Sequence, residues 1–507
     1  MVLGLMEGTS DIKKSSKALN LSFCNMFLSL WMCFIHEIVR CFDPVFGTKG
    51  GPQKRAVSLS NISQVSTMSI PSFDSPFVVH WFRRDLRWQD NRALDAALTS
   101  GHPVVPLFVF DKNILDRLDN QDDARITFLH DRISHMQGEA SDLGASLLVV
   151  HDDPINVLET LAENGMMKAV YTNEDYEPYA QTRDAAARNF LKTRGVAFHT
   201  FTDHVIQAPG EVTKPDGTPY TVFTPFSKRW HLNLSEENMK TSPSEKHLGS
   251  LHTWDSTLPS LDSIGFKRSS ISAPEATITK NVLTQYSEMR DIPSVRGTSR
   301  LSVHLRFGTK SIREAAKEGF KYSEKWLTEL IWRDFYQHVM HAFPHSMKDA
   351  FRPQYDRVPW RHNDEDFQRW TRGETGYPLV DAGMRELLAT GFMHNRVRMV
   401  VASFFCKHLL LDWRLGERHF AAHLLDFELA SNVGGWQWAA GSGCDAAPYF
   451  RVFNPTSQLQ KFDRELTYVR KWVPEYGTES YPAPMVDHKM ARQRAIDTYK
   501  NALSSLS

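Results

Sequence analysis

The stretch FVVHWFRRDLRWQDNRALDAAL, residues 77–98, decides the fold of this chain. Its first six residues, FVVHWF, are almost wholly apolar, which is the pattern of a strand that helices cover on both faces. A polar loop follows, and DNRALDAAL (90–98) then carries apolar residues at helical spacing. A strand, a loop and a helix in this order make the first unit of an alternating α/β domain.

The same alternation continues to residue 201. Strands that alternate with helices of 10–20 residues form a parallel, doubly wound sheet, here of about five strands. Ligands of such sheets usually bind at the carboxyl ends of the strands. Further strands are predicted at PVVPLFVF (103–110), SLLVV (146–150), AVYT (169–172) and GVAFHTF (195–201), and helices at 123–143, after Asp153-Pro154 and at 178–194.

Beyond residue 281 the strand pattern disappears and apolar residues recur at helical spacing. The pattern predicts an all-α domain with helices at 326–340, 377–391, 394–413 and 416–430. Residues 203–280 are rich in Pro, Ser, Gly and Lys, which is typical of a long connector. The predicted domains are an N-terminal extension (1–76), an α/β domain (77–205), a connector (206–280) and a helical domain (281–500).

The N-terminal extension contains one apolar segment, residues 19–42, which Asn25, Glu37 and Arg40 interrupt. A membrane span needs about 20 apolar residues, so this segment is a poor candidate for one. No small-residue cleavage site marks a secretory signal. We expect the extension to be disordered, or to lie upstream of a translation start at Met68; a targeting segment remains the alternative.

The composition is that of a globular protein in a reducing compartment. Basic and acidic residues balance at 59 each, which still allows a local basic site for nucleic acid. The five cysteines form no CxxC pair, which indicates neither a disulfide framework nor a zinc site. We therefore expect a cytoplasmic, bacterial-like monomer that has no metal and no membrane partner.

The stretch DFELASNVGGWQWAAGSGCDAAPYFRVFNP, residues 426–455, is the richest candidate site. Glycines let a backbone approach a flat ligand, Asn432 offers a donor and an acceptor, and Trp436 and Trp438 offer stacking faces. A plain loop is the alternative, because Gly and Asn also favour turns. The density of Trp beside Gly favours the ligand site.

A helix with polar residues on one side is predicted in GFMHNRVRMVVASFF (391–405). Asn395, Arg398 and Met399 are three and four residues apart and therefore share that side. A lone helical Arg is usually solvated. We expect Arg398 to pair with Asp426 instead, because an acid inside the apolar LLDFELA needs a partner.

A phosphate-binding segment is indicated by RDIPSVRGTSRLSVHLRFG, residues 290–308. Thr298, Ser299 and Ser302 offer hydroxyl and backbone donors beside several arginines. A helix N-cap next to a basic surface is the alternative. Basic and aromatic residues alternate in the helical half of the chain. This pattern suits nucleic acid, because arginines bind the phosphates and a base stacks on an aromatic ring. The residues are Arg290, Arg333, Arg396 and Arg451, with Trp332, Trp438 and Phe450.

These stretches, with WFRRDLRWQDNRAL (81–94) and YPAPMVDHKMAR (481–492), resemble the photolyase/cryptochrome family over about residues 77–500. Residues 432–463 are most similar to class I cyclobutane pyrimidine dimer photolyases. The resemblance implies blue-light-driven repair of UV-damaged DNA. In that reaction reduced FAD donates an electron to a dimer flipped out of the DNA, the cyclobutane ring splits, and the electron returns.

The resemblance also implies roles for individual residues. FAD phosphates would be bound by Tyr286, Thr298, Ser299, Arg300, Leu301 and Ser302, and the isoalloxazine ring by Asn395, Arg398, Asp426, Glu428 and Asn432, with Asn432 near N5. The dimer would contact Glu329, Trp332, Asn395, Met399 and Trp438, and DNA phosphates would contact Arg290, Arg333, Arg396 and Arg451. Trp436, Trp413 and Trp360 would carry electrons between the flavin and the surface. A dry pocket would raise the pKa of Glu329, so that a protonated carboxyl could donate to the dimer.

Single positions narrow the implied lesion. Photolyases for the (6-4) lesion carry His at the positions of Asn395 and Met399, and this chain has neither. Asn432 stands where plant-type cryptochromes carry Asp and insect-type ones carry Cys, and it suits an enzyme that keeps its flavin reduced. Two departures put the local geometry in doubt: Glu428 replaces a shorter acid near the polar edge of the flavin, and Cys444 replaces a small hydroxyl residue.

Two other functions remain open, a blue-light photoreceptor on the same fold and a plain flavin oxidoreductase. The second leaves the arginine–aromatic surface unexplained. An antenna chromophore (a folate, a deazaflavin or a second flavin) is expected in the crevice of the first domain near Arg83, Asp85, Asn91 and Glu177.

Overall fold

The computed structural model describes residues 70–504 of the chain. They form a five-stranded parallel sheet followed by a helical part, which confirms the predicted fold class. The predictions for residues 1–69, including the segment 19–42 and the start at Met68, lie outside the described residues. Within residues 70–504, no helix has the length and apolar character needed to cross a membrane.

The sheet has the strand order β3-β2-β1-β4-β5. Val79 of β1 lies opposite Val105 of β2 and Val170 of β4, and all pairs are parallel. Every residue of β1 and β2 is buried, as expected for strands that have helices on both faces. The strands are β1 Phe77–Phe82, β2 Val104–Asp111, β3 Leu148–Asp152, β4 Met167–Asn173 and β5 Ala197–Phe201.

The two faces of the sheet contribute to different hydrophobic cores. Alternate side chains of β1 point to opposite faces, and Trp81 points away from Phe82. Phe82 packs in the same core as Phe307 and Leu425 of the helical part. One face of the sheet therefore lies directly against the helical part, close to the segment that precedes residue 428.

The other regular elements of the described chain are helices. They are α1 Arg92–Leu98, α2 Lys112–Leu115, α3 Ala124–Ser141, α4 Pro154–Ala162, α5 Pro178–Thr193, α6 Phe223–Asn233, α7 Glu236–Met239, α8 Lys280–Thr284, α9 Tyr286–Met289, α10 Ser302–Arg306, α11 Ile312–Tyr322, α12 Glu324–Ala342, α13 Asp364–Thr371, α14 Pro378–Thr390, α15 Asn395–Ser403, α16 Trp413–His423, α17 Leu429–Ala440, α18 Pro455–Phe462, α19 Thr467–Trp472 and α20 His488–Ser504. Short 3₁₀ turns occur between them, and residues 404–409 form a π-helix.

Local sequence explains many of these boundaries. The side chain of Asn91 accepts from the backbone N–H of Leu94 and begins α1. Asp153 caps α4, where Pro154 occupies the first turn and has no N–H to leave unpaired. Gly391 ends α14 in the left-handed conformation, which a glycine adopts without steric cost.

Two predicted helices differ from the observed ones. The stretch 394–413 does not stay α-helical: α15 gives way to the π-helix, which ends at Leu410 with a φ of 53°. The stretch 416–430 is divided between α16 and α17. Between them, the backbone N–H of Leu425 bonds to the carbonyl of Gly391 at 2.8 Å. Tertiary contacts therefore overrule the apolar periodicity, and the turn places residues 426–428 at the site described below.

Candidate functional site

A cavity of about 370 Å³ opens in the helical part between α12, α15, α16 and α17. It brings together most of the residues predicted for the flavin ring and the dimer. Sequence reasoning missed several apolar and small residues of the wall, which look like ordinary core residues in sequence. The cavity is lined by Arg290, Glu329, Trp332, Tyr336, Asn395, Arg398, Met399, Ala402, Phe420, Leu424, Asp426, Phe427, Glu428, Ser431, Asn432, Gly435, Trp436 and Trp438.

Arg398 and Asp426 form the ion pair that their sequence context predicted. Nη2 of Arg398 donates to the two carboxylate oxygens of Asp426 at 3.0 and 2.9 Å. Nε of Arg398 donates to the carbonyl of Met393 at 2.7 Å. The guanidinium is therefore fixed in orientation at the cavity wall, where it can stabilise negative charge on a bound ring.

Asn432 presents a hydrogen-bond acceptor to the cavity. Its amide nitrogen donates to Oε1 of Glu417 at 2.9 Å and to the carbonyl of the same residue at 3.1 Å. Both donors are thereby used, and within residues 70–504 the amide oxygen has no partner. Burial raises the pKa of the Glu417 carboxyl. Sequence reasoning missed Glu417, because an acid near a helix start usually lies at the surface.

The two glycines before Trp436 have separate uses. A Cβ at Gly434 would lie 2.4 Å from the ring of Tyr336, so only glycine allows α17 to pack this closely against α12. A Cβ at Gly435 would meet no atom within 4 Å, because this residue borders the cavity. Gly416 of α16 packs on the Trp436 indole, where a Cβ would lie 2.1 Å from the ring.

The three predicted electron-transfer tryptophans differ in exposure. Trp436 lines the cavity and is buried, Trp413 is buried in the same hydrophobic core, and Trp360 is partly exposed at its edge. Trp370 is a fourth indole in this core, which sequence reasoning missed, and its ring centroid lies 6.1 Å from that of Trp436. Only Trp360 therefore reaches the surface, and the electron-transfer role of the three indoles stays a prediction.

The segment predicted to bind phosphate, residues 298–302, does not line this cavity. Ser299 accepts a hydrogen bond from the Trp326 indole of α12 at 3.3 Å. Arg300 has a φ of 51° and Ser302 begins α10. Tyr286 is buried, and the Arg290 guanidinium lies 5.4 Å from its ring centroid. Thr298, Ser299 and Tyr286 thus stay candidates for a cofactor's phosphates.

Glu428 borders the cavity, but both of its carboxylate oxygens have protein partners. Oε1 accepts from Arg84 at 2.7 Å, from His204 at 3.0 Å and from Arg333 at 3.0 Å, and Oε2 accepts from Ser431 at 3.0 Å. Arg333, His204 and Arg84 hold the pKa of Glu428 well below its usual value. Burial and Arg333 lower the pKa of His204 to about 3, so this ring is neutral. Glu428 is therefore a charged link between segments that also borders the cavity, and its expected contact with the flavin stays a prediction.

Arg333 is less accessible than a DNA-binding arginine is expected to be. Its side chain is only 10% exposed and donates to the carbonyl of His204 and to Glu428. This burial argues against a contact with a DNA phosphate, and the contact stays a prediction. The other three predicted arginines are more accessible: Arg290 pairs with Glu329, Arg396 pairs with Asp291 at 2.8 Å, and Arg451 is exposed.

Polar side chains near the expected antenna site bond to one another. Asp85 accepts from the side chains of Asn91 and Asn173 at 3.1 and 2.6 Å. Arg83 pairs with Asp184 at 2.5 Å. A cavity of about 10 Å³ lies beside Arg83 and Asp85. The antenna chromophore expected near these residues stays a prediction.

Comparisons with known proteins agree with this architecture. Residues 78–245 match the family model for DNA photolyase, and residues 326–479 match the model for the FAD binding domain of DNA photolyase. The deoxyribodipyrimidine photo-lyase of Synechococcus sp. is 35% identical over 84% of this chain and 97% of its own length. A class III photolyase from Agrobacterium tumefaciens superposes with a TM-score of 0.75 at 32% identity, over 87% of this chain and 100% of the other. A cryptochrome from Synechocystis superposes with a TM-score of 0.73 at 25% identity, over 83% of this chain and 99% of the other.

Proposed function

Since the chain belongs to the DNA photolyase family, we propose that it is a deoxyribodipyrimidine photo-lyase, which uses blue light and FAD to repair cyclobutane pyrimidine dimers in UV-damaged DNA. The single observation that carries the proposal is the cavity between α12 and α17. Its wall combines a fixed Arg398–Asp426 pair, a free acceptor on Asn432 and the two indoles Trp332 and Trp438. These groups suit a flavin ring and a pyrimidine dimer in one space.

The polar groups of the cavity wall suit the ring system of a flavin. The Arg398 guanidinium favours negative charge on the pyrimidine part of a reduced ring. The unpaired amide oxygen of Asn432 suits a ring N–H as its donor, and Gly435 leaves the space beside it open. When bound, reduced FAD supplies the light-driven electron that splits the dimer and that returns afterwards.

The substrate side of the cavity is aromatic and contains one carboxyl group. Trp332 stacks on Phe223 with a centroid distance of 3.6 Å and an angle of 4°, which fixes the plane of its ring. Burial raises the pKa of the Glu329 carboxyl, while Arg290 acts in the opposite direction. A proton on Glu329 would allow it to donate to a dimer carbonyl. The absence of His at positions 395 and 399 supports the cyclobutane dimer over the (6-4) lesion.

A strand of DNA would be held by arginines at the rim of the cavity. Arg290 lines the cavity, Arg396 follows Asn395 in the first turn of α15, and Arg451 is exposed in the loop after α17. Guanidinium groups bind phosphate oxygens through paired N–H donors. The substrate base would have to leave the stack, which costs least at a damaged site.

Repair in solution tests the proposal directly. The FAD-loaded protein is reduced, mixed with UV-irradiated oligothymidine and illuminated with blue light, and the remaining dimers are counted by chromatography. We expect light-dependent loss of dimers, and a strong reduction of this loss in Trp438→Ala. Trp254→Ala is the matched control, because Trp254 is a partly buried indole of the connector, packed on the α/β domain and away from the cavity. Unchanged dimer content in the illuminated wild type, with FAD bound, would refute the proposal.

A photoreceptor without repair activity is the second candidate, because a cryptochrome shares this fold at 25% identity. The repair experiment separates the two. A receptor would retain the light-dependent reduction of its flavin through Trp436, but would leave the dimers intact.

A further inference from the structure

The connector contributes a helix, α6, whose first residue packs behind one of the indoles of the cavity wall. Phe223 of α6 and Trp332 of α12 have ring centroids 3.6 Å apart and ring planes 4° from parallel. Trp332 lines the cavity between α12 and α17, the flavin cavity, whereas Phe223 does not. The phenyl ring therefore covers one face of the indole, and a ligand in the cavity can meet only the opposite face or the edges.

The packing around this stack fixes both rings. Phe335 meets them edge-on, with its centroid 5.8 Å from that of Phe223 and 5.6 Å from that of Trp332. Tyr336 lies on the other side of the same helical turn, 5.6 Å from Trp332. Aromatic pairs by themselves prefer an offset or edge-to-face arrangement over direct overlap. The parallel overlap of Phe223 and Trp332 is therefore set by what holds each ring.

Asp445 holds Phe223 in place. The first N–H groups of a helix have no partner within the helix, and Val222, the residue before α6, has no polar side chain to accept from them. The carboxylate of Asp445 supplies this cap, because its Oδ2 accepts from the backbone N–H of Phe223 at 3.0 Å. Its negative charge is also favoured at this end of the helix dipole. Asp445 lies 222 residues further along the chain, so α6 begins where a distant loop allows it to begin.

This contact joins the supports of the two indoles on the substrate side of the cavity. Trp438 belongs to α17, and the loop that follows α17 carries Asp445. The backbone N–H of Gly443 bonds to the last turn of α17 at 3.1 Å, which ties the loop to that helix. From Asp445, the chain of contacts continues through Phe223 to Trp332. The orientation of Trp332 relative to Trp438 therefore depends on the connector as well as on α12 and α17.

We propose that Phe223 is a positioning residue for the pyrimidine dimer. Its ring holds the Trp332 indole in the orientation that receives a base, and Asp445 holds Phe223. The inference rests on the proposed function, because Trp332 has a base to meet only if the cavity binds a dimer. An indole that is free to tilt loses part of its contact with a flat base. The arginines at the rim would still bind the phosphates.

Dark binding of the FAD-loaded protein to an oligothymidine that contains one cyclobutane dimer, and to the undamaged oligothymidine, tests this proposal. Phe223→Leu keeps an apolar side chain but removes the planar ring. Complete loss of a base–aromatic stack weakens binding by about 5- to 150-fold. Because the indole itself remains, we expect Phe223→Leu to raise the dissociation constant for dimer DNA by about tenfold. The dissociation constant for undamaged DNA should not change, and Phe223→Tyr, which retains the ring, should restore dimer affinity.

Phe226→Leu is the matched control. Phe226 is a fully buried ring of the same helix, and it packs on Phe335 and His338 rather than on Trp332. Its replacement disturbs the packing of α6 but should leave dimer affinity unchanged. A double-mutant cycle then identifies the route of the effect. If Phe223 acts through Trp332, Phe223→Leu should have no further effect on dimer affinity in a Trp332→Ala background.

Two substitutions at Asp445 test the support behind Phe223. Asp445→Ala leaves the start of α6 without its cap, and it should raise the dissociation constant for dimer DNA in the same direction as Phe223→Leu. Asp445→Asn retains a side-chain oxygen that accepts from the N–H of Phe223, so its dimer affinity should stay closer to that of the wild type. Equal dimer affinity in Asp445→Ala and the wild type would remove Asp445 from the proposal.

The role of Phe223 would be overturned by any of four results in a wild type that prefers dimer DNA. These are unchanged dimer affinity in Phe223→Leu, an equal loss of affinity for undamaged DNA, an equal effect of Phe226→Leu, and a full effect of Phe223→Leu in the Trp332→Ala background. A wild type that neither prefers dimer DNA nor repairs it under blue light would refute the proposed function, and this inference with it.

Discussion

The Glu428 carboxylate accepts hydrogen bonds from two arginines and one neutral histidine. Replacing Glu428 by Gln removes the negative charge from this buried site. Glu428 is 6% exposed and accepts from Arg84, His204 and Arg333. Arg84 retains two further acids, Asp175 and Glu177, at 3.1 and 3.0 Å. Arg333 has no other carboxylate within 4 Å among residues 70–504. The substitution therefore leaves Arg333 as a buried charge without a counterion.

The size of the effect follows from this difference between the two arginines. Removal of one partner from a buried ion pair costs about 3–5 kcal/mol, because the other charge stays desolvated. A surface pair contributes less than about 1 kcal/mol. Glu374 gives the matched control, since it pairs with Arg372 at 2.8 Å while both side chains are about half exposed. We expect Glu428→Gln to lower the free energy of unfolding by about 3–5 kcal/mol, and Glu374→Gln by less than about 1 kcal/mol.

Urea unfolding of the FAD-loaded protein measures this difference. Tryptophan fluorescence and flavin release are recorded together, and coincident transitions indicate a single unfolding step. The pH dependence gives an independent check. Because the folded pKa of Glu428 is depressed, its contribution is complete above the unfolded value of about 4.3 and is lost as the pH falls below it. The difference between wild type and Glu428→Gln should therefore narrow in acid. Equal losses in Glu428→Gln and Glu374→Gln at neutral pH would refute the reasoning.

Three further predictions concern other parts of the molecule. Trp436→Phe should slow the photoreduction of oxidised flavin, measured by absorbance, and leave repair by chemically reduced protein largely intact, because Trp436 borders the cavity. Arg451→Ala should weaken binding to dimer-containing DNA. The slope of log affinity against log salt concentration should fall by about one, which corresponds to one phosphate contact. Arg333→Ala should leave this slope unchanged, because Arg333 is largely buried. Burial lowers the pKa of Lys407 to about 7 in the folded protein, so between about pH 7 and 10 the unfolded chain binds more protons than the folded one. The free energy of unfolding of the wild type should therefore rise over this pH range. Lys407→Met should remove this rise, as measured by urea unfolding.

The sheet and the cavity wall were predictable because their signals are local. FVVHWF is a buried strand by composition alone, and its neighbours repeat the pattern. The cavity residues Asn432 and Trp436 belong to one short segment whose glycines and indoles are unusual for a helix. Arg398 and Asp426 were paired from the cost of burying an acid, and they are 28 residues apart.

The contacts that sequence reasoning missed have a different cause, because they join distant segments. Arg84 and Glu428 are 344 residues apart, and no local pattern indicates that they meet. Arg333 has the same sequence context as a surface arginine, and its burial depends on His204, which follows β5. Asp184 of α5 pairs with Arg83 of the loop after β1 in the same way.

These long-range contacts connect the α/β domain to the turn that borders the flavin cavity. Glu177 of that domain lies 3.0 Å from Arg84 and 3.4 Å from Arg306. Arg84 donates to Glu428, and Arg306 donates to the carbonyl of Phe427 at 2.6 Å. Both acceptors belong to the short turn between α16 and α17 that borders the cavity. These ion pairs fix the turn to the α/β domain, because the loss of either partner would leave a buried charge unpaired. The length of Glu428 serves this contact, since its carboxylate accepts from Arg84 across the interface at 2.7 Å.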